Sequence, residues 1–148
     1  MKRVLYIALA ALALAAPVER ADVGKLRPVE VVCVAGTEGS YLIRTDTGDR
    51  GAGATLEEAV NDLRDRAPGI IYLDTAEYLL LENEIHEMDA LLRLLKPDVR
   101  VCAAEPRISL EESGQYLDVH RPKARLKDGM DYDQLEHLWD DDGSYMLQ

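Results

Sequence analysis

The residues able to do chemistry are few and scattered. His86, His120 and His137 are the three histidines of the 148-residue chain, and neither His-x-x-x-His nor Gly-x-Ser-x-Gly occurs beside them. The first spacing puts two ligands on one helix face, and the second puts a serine on a strained turn. Without either, each imidazole reads as an isolated group, His86 on the surface in the first turn of a helix. A triad drawn from distant residues stays open, because triads are set by geometry and not by chain order. Cys33 and Cys102 stand sixty-nine residues apart with no clustered partner, which argues against zinc. They read as two buried free thiols or, in an exported chain, as a Cys33–Cys102 disulfide.

Two further stretches suggest ligands and then argue against them. Gly48-Asp49-Arg50-Gly51-Ala52-Gly53 precedes a helix, and a helix N-terminus attracts anions. No Gly-Lys-Ser/Thr follows, and Asp49, Glu57 and Glu58 repel phosphate, so a flexible connecting loop is expected. Asp131, Asp133 and Asp140 to Asp142 hint at calcium but lack the regular spacing about a central glycine. They read as a solvated acidic face. The expectation is no catalytic, metal or cofactor site.

Composition narrows the classes. Hydrophobic residues make up 47% and charged residues 30%, as in a globular domain, and one domain fills this length. The net charge of −11 disfavours a grip on nucleic acid. With no Phe and a single Trp, the core must be aliphatic. Met1-Lys2-Arg3 followed by fifteen uncharged residues, Val4 to Val18, has the layout of a secretory signal, with Ala13-Leu14-Ala15 as a cleavage site. Fifteen residues span only about 22 Å as a helix, short of a ~30 Å hydrocarbon core, although a signal anchor is the alternative. An exported, extracytoplasmic chain is therefore expected.

The elements that must position these residues follow from periodicity. Val29 to Ala35 and Tyr41 to Thr45 read as a hairpin about the turn Gly36 to Gly39. Thr55-Leu56-Glu57-Glu58 is a capping box, and Leu56, Ala59, Val60 and Leu63 share one helical face that ends at Pro68-Gly69. Ile70 to Leu73 and Tyr78 to Leu81 form one long strand with an irregularity near Asp74, or two short strands. Asn83 can cap a second helix that turns Ile85, Met88, Leu91, Leu92 and Leu95 inward and stops at Lys96-Pro97. Val99 to Ala103 is read as the final strand. Ser109 to Glu112 is read as another capping box, opening a helix to about Asp118. Asp128 to Gln148 holds seven acids and no Lys or Arg, and is expected as a tail or as a helix carrying Tyr132, Leu135, Leu138 and Trp139 on one face. The expected fold is α/β (α+β), order ββαβαβα, a mixed four-stranded sheet with helices mainly on one face. Its divisions are a signal at 1–18, a domain at 19–127 and the acidic segment at 128–148.

Several of these residues carry a likeness. Glu19 to Leu26 leads into Val29-Glu30-Val31-Val32. Gly53-Ala54-Thr55-Leu56-Glu57-Glu58-Ala59 fits a Gly-x-Thr-hydrophobic-x-x-Ala lead-in to a first helix. Tyr72-Leu73, Leu79-Leu80-Leu81 and Glu82-Asn83-Glu84 follow in order. From about Glu19 to Ala104 the chain resembles the N-terminal domain of Ger(x)C-type spore germination proteins, the C subunits of nutrient germinant receptors. Family members carry a lipidated cysteine after the signal where Ala15-Ala16-Pro17 has none, and Thr75 stands where a histidine is common. The resemblance implies a non-enzymatic, protein-binding module in sporulation or germination. Its partners would be proteins at the membrane surface, such as germinant receptor subunits. The competing readings are a small secreted hydrolase with a site assembled from scattered residues, and a generic extracytoplasmic ligand-binding domain.

Overall fold

The computed structural model describes residues 26–106, 108–141 and 144–148. The expected signal, 1–18, lies outside the described residues. The chain is α/β. Nine strands are described: β1 (Leu26–Pro28), β2 (Val31–Thr37), β3 (Ser40–Thr45), β4 (Arg50–Gly53), β5 (Ile70–Tyr72), β6 (Tyr78–Leu81), β7 (Arg100–Ala104), β8 (His137–Asp141) and β9 (Ser144–Leu147). Among them run helices α1 (Leu56–Arg66), α2 (Met88–Leu94) and α3 (Leu110–His120). Seven strands form the main sheet in the order β4-β3-β2-β6-β7-β8-β9, and β1 with β5 makes a separate parallel pair. Strands β2, β6, β7 and β8 are mutually parallel, with antiparallel neighbours at both edges.

The centre of the sheet explains the unbroken apolar runs. Val32, Leu79 and Val101 lie in one register row, and Cys33, Leu80 and Cys102 in the next. Side chains alternate between faces along a strand, so Val32, Val34, Leu79 and Leu81 pack under α1 and α2, while Val31, Cys33, Tyr78 and Leu80 pack under α3. Both faces are covered, which is why these strands do not alternate polar with apolar. The expectation of helices on one face holds for α1 and α2, whereas α3 covers the other.

The sheet is wider than the four strands expected, for two physical reasons. The glycine-rich stretch is strand β4, not a loop. A Cβ on Gly51 would lie 2.2 Å from the Ala59 carbonyl oxygen and 2.3 Å from the Leu63 nitrogen, so α1 rests directly on bare strand backbone. At the other end, the acidic segment is neither one long helix nor a tail: a 3-10 turn, Tyr132–Gln134, leads into strands. Tyr132 and Leu135 pack against the α1/α2 core, while Leu138 is buried in the α3 core, so they never share one helical face. Leu138 pairs with Ala104 and Leu147 pairs with Leu138, which extends the sheet as β8 and β9.

Several local expectations are also corrected. The hairpin turn is only Glu38-Gly39, with Gly39 at φ 86°, a left-handed conformation that glycine adopts without strain. Asn83 caps no helix: its side-chain oxygen accepts from the Gly36 amide at 2.9 Å and its amide donates to the Gly36 carbonyl, tying β6 to the β2–β3 hairpin. Helix α2 begins later, at Met88, and its Leu92 is exposed. Ser109 precedes α3 without a side-chain cap, and Tyr145 from β9 donates instead to the Ser109 carbonyl at 2.9 Å. The capping box at α1 does form, with Thr55 Oγ1 accepting from the Glu58 amide at 3.2 Å and Glu58 accepting from the Ala54 amide at 2.9 Å.

Candidate functional site

The thiols occupy the face under α3 but do not meet. Leu80 of β6 separates Cys33 from Cys102 in register, and two strand spacings of about 4.8 Å exceed the ~7 Å limit between the Cα atoms of a disulfide. Both cysteines are buried and free, which corrects the disulfide alternative. The Cys33 thiol donates to Glu82 at 3.4 Å, and the Arg44 guanidinium pairs with Glu82 while approaching Cys33 Sγ at 3.5 Å and the Pro106 carbonyl at 3.4 Å. Burial first, then the Glu82 carboxylate, pushes the Cys33 thiol up to about 12, with Arg44 pulling the other way. Burial likewise pushes the Cys102 thiol up. A thiol held in this state is no nucleophile. The Arg44–Glu82 pair fastens β3, the end of β6 and the loop after β7 to one another. A disulfide-type thiol reagent at pH 8 is expected to leave the native protein unmodified and to count two thiols in urea. Rapid native reaction, or fewer than two thiols on unfolding, would contradict this packing.

A second polar cluster joins the sheet to α3. The Tyr78 hydroxyl donates to Asp118 at 2.7 Å, and burial followed by this bond pushes the phenol up. Glu30 lies beside Asp118. Its carboxyl is raised by burial first, then by the charge of Asp118 and a hydrogen bond to it, with Asp46 and Glu77 adding to the effect. A raised carboxyl holds its proton more tightly in the folded state. Its favourable contribution is complete below the unfolded value near 4.5 and is lost as pH rises through the folded value. Glu30→Gln should therefore raise the urea midpoint at pH 7 and leave it nearly unchanged at pH 4. An equal gain at both pH values, or a loss at pH 7, would refute the assignment.

The other sequence candidates are used within the fold. The α1 N-terminus spends its amides on Thr55, on Glu58 and on Glu87, which accepts from Leu56 at 3.4 Å, so no anion site forms there. His86 is exposed 3.8 Å from Glu84, His120 stacks on Tyr116 with centroids 4.0 Å apart, and His137 lies beside Trp139. The structure does not bring the three together into one arrangement. Asp131 accepts from the Asp133 amide and from Gln134 in its own turn. Among the described residues no group of three His, Cys, Asp or Glu could hold a metal ion.

Several depressions remain, among them one of about 440 Å³ along His86–Ala90 and Arg93. Another, about 670 Å³, lies between the Thr45–Arg50 segment and the start of α3. Its acids are largely engaged within the fold: Asp46 accepts from the Glu30 amide, and Asp49 from Arg27 and Thr47, with exposed Arg50 beside them. A third, about 540 Å³, is bounded by β5 with Leu73 and Asp74 after it, Arg64 of α1, and Arg93 and Leu94 of α2. It has what the larger one lacks. Ile70 is 50% and Tyr72 38% exposed, alternate residues on one face of β5. A smaller recess of about 240 Å³ between α1 and α2 shares Arg64, Arg93 and Leu94 with it. Among the described residues, Arg64 and Arg93 have neither an ion pair nor a side-chain hydrogen bond. This β5 groove is the candidate functional site. Sequence reasoning identified the strand but not its exposure, because an apolar run ordinarily signals burial.

Neither a family model, a curated protein nor a solved structure matches the chain. The molecule is thus defined by its own architecture, an α/β domain with helices on both faces of a seven-stranded sheet. Among the described residues, no helix is long and apolar enough to cross a membrane.

Proposed function

We propose that the chain works by binding another protein and not by catalysis, and that the β5 groove is its contact face. The observation that carries this reading is the pairing of exposed Ile70 and Tyr72 with two uncommitted arginines around one concave surface. Large apolar side chains held in a concavity mark interaction surfaces, and Tyr and Arg are enriched among the residues that dominate binding energy. The resemblance to the N-terminal domain of Ger(x)C-type germination proteins supplies the setting. The chain is exported and meets its partner, a germinant receptor subunit or another membrane-surface protein, during sporulation or germination.

Affinity capture with the tagged full chain in sporulating cells tests the reading, run beside a broad hydrolase and metal screen. The expected result is a membrane-surface protein captured by the wild type and lost with Ile70→Glu. Reproducible turnover abolished by a single His or Ser substitution, with no protein captured, would transfer the case to the hydrolase reading.

A further inference from the structure

We infer that β5 receives an extended segment of the partner as an added strand, and that Arg64 and Arg93 select carboxylates on that segment. This deepens the reading of the groove as a protein-binding face and rests on it. Strand β5 pairs only with β1 among the described residues, which place no strand on its other edge, and Ile70, Ile71 and Tyr72 all line the groove. The Arg27 side chain of β1 reaches the Thr47 carbonyl at 3.0 Å and Asp49 at 3.1 Å, which ties β1 to the segment after β3. The β5 side of the pair opens onto the groove. The Leu73–Thr75 turn separates β5 from β6, and Thr75 Oγ1 donates to the Tyr72 carbonyl at 2.7 Å, which holds the end of the strand in place. An open strand edge flanked by pockets for alternate side chains is the geometry of strand addition, in which backbone bonds give affinity and pockets give specificity.

Charge identifies the occupant. Arg64 and Arg93 stand in the last turns of α1 and α2, where the helix dipole already favours cations. Among the described residues their guanidinium donors remain available and outnumber the one acid that lines the groove, Asp74, in a chain of net charge −11 whose Arg27, Arg44 and Arg66 are all paired with acids. A second copy of this chain is a poor occupant. Symmetric pairing of β5 with β5 would bring the two arginines of one copy toward those of the other, and like charges across a strand pair are destabilising. The fitting occupant is an apolar, strand-forming segment of a different protein, bearing one or two Asp or Glu residues.

Random dodecapeptides displayed on phage provide the probe, selected on the full chain purified from its host and counter-selected on Ile70→Glu. The expected enrichment is alternating apolar residues with at least one acid and no central proline. Synthesised winners should lose at least fivefold in affinity on the Arg64→Glu/Arg93→Glu double variant and recover when their acids are changed to Lys. Both arginines are exposed, so the double variant should keep the wild-type urea midpoint. Enriched peptides without alternation, basic peptides, or unchanged affinity on the double variant would overturn the inference. Peptides lost on Ile70→Glu but indifferent to charge would leave the binding face standing and reject the selection of carboxylates. No peptide sensitive to Ile70→Glu would reject the binding face as well. Concentration-dependent dimerisation abolished by Ile70→Glu would assign the edge to a second copy.

Discussion

Gly51→Ala is expected to cost about 3 kcal/mol or more, the upper end for forcing atoms into a packed interior and a large share of a typical ~5–15 kcal/mol stability. The added carbon would sit 2.2 Å from the Ala59 oxygen, 2.3 Å from the Leu63 nitrogen and 2.7 Å from its Cα. All three are helix backbone, which cannot swing aside as a side chain can, so α1 must lift off β4. Gly48 in the preceding turn is the control. At φ 86° it tolerates a side chain only with strain, about 1–2 kcal/mol, yet nothing lies within 4 Å of the added carbon. The fluorescence of the single tryptophan, Trp139 on β8, reports unfolding in urea. A midpoint shift for Gly51→Ala no larger than that for Gly48→Ala would show that α1 does not seat on β4.

Leu63→Asp is expected to unfold the domain, while Glu57→Ala on the same helix changes stability little. Leu63 is fully buried beneath α1, and an unpaired carboxylate there costs several kcal/mol or must take up a proton. Glu57 is exposed in the first helical turn, where its favourable interaction with the dipole is about 0.3–1 kcal/mol. Comparable melting temperatures for the two variants would contradict the facing of the helix.

Helix α1 was legible because its signals are local. Thr55 and Glu58 mark its start, and the spacing of Leu56, Ala59, Val60 and Leu63 marks its buried face. Strand β4 was not, since Gly51 and Gly53 are bare so that the backbone of α1 can fold back onto them, a packing contact that local sequence does not show, and in sequence they resemble a linker. Asn83 misled for the same reason: an amide suited to a helix cap was taken instead by the backbone of Gly36, forty-seven residues away. In β9 Tyr145 and Leu147 alternate with exposed Ser144 and Met146 and pack with Leu138 of β8, and the density of acids in this part of the sequence obscured the strands. The groove was the least legible feature. Ile70-Ile71-Tyr72 reads as a buried strand, and its exposure arises because the Leu73–Thr75 turn sets β5 apart from the main sheet, where among the described residues it pairs with β1 alone.

Photo-crosslinking in living cells tests the binding face most directly. A photoreactive amino acid replaces Ile70 in one strain and Val119, 78% exposed on α3, in another. The account predicts a discrete protein adduct from position 70 that is absent from position 119 and lost when Arg64 and Arg93 are both changed to Glu. Equal adducts from both positions, or none from position 70 while position 119 gives one, would contradict it.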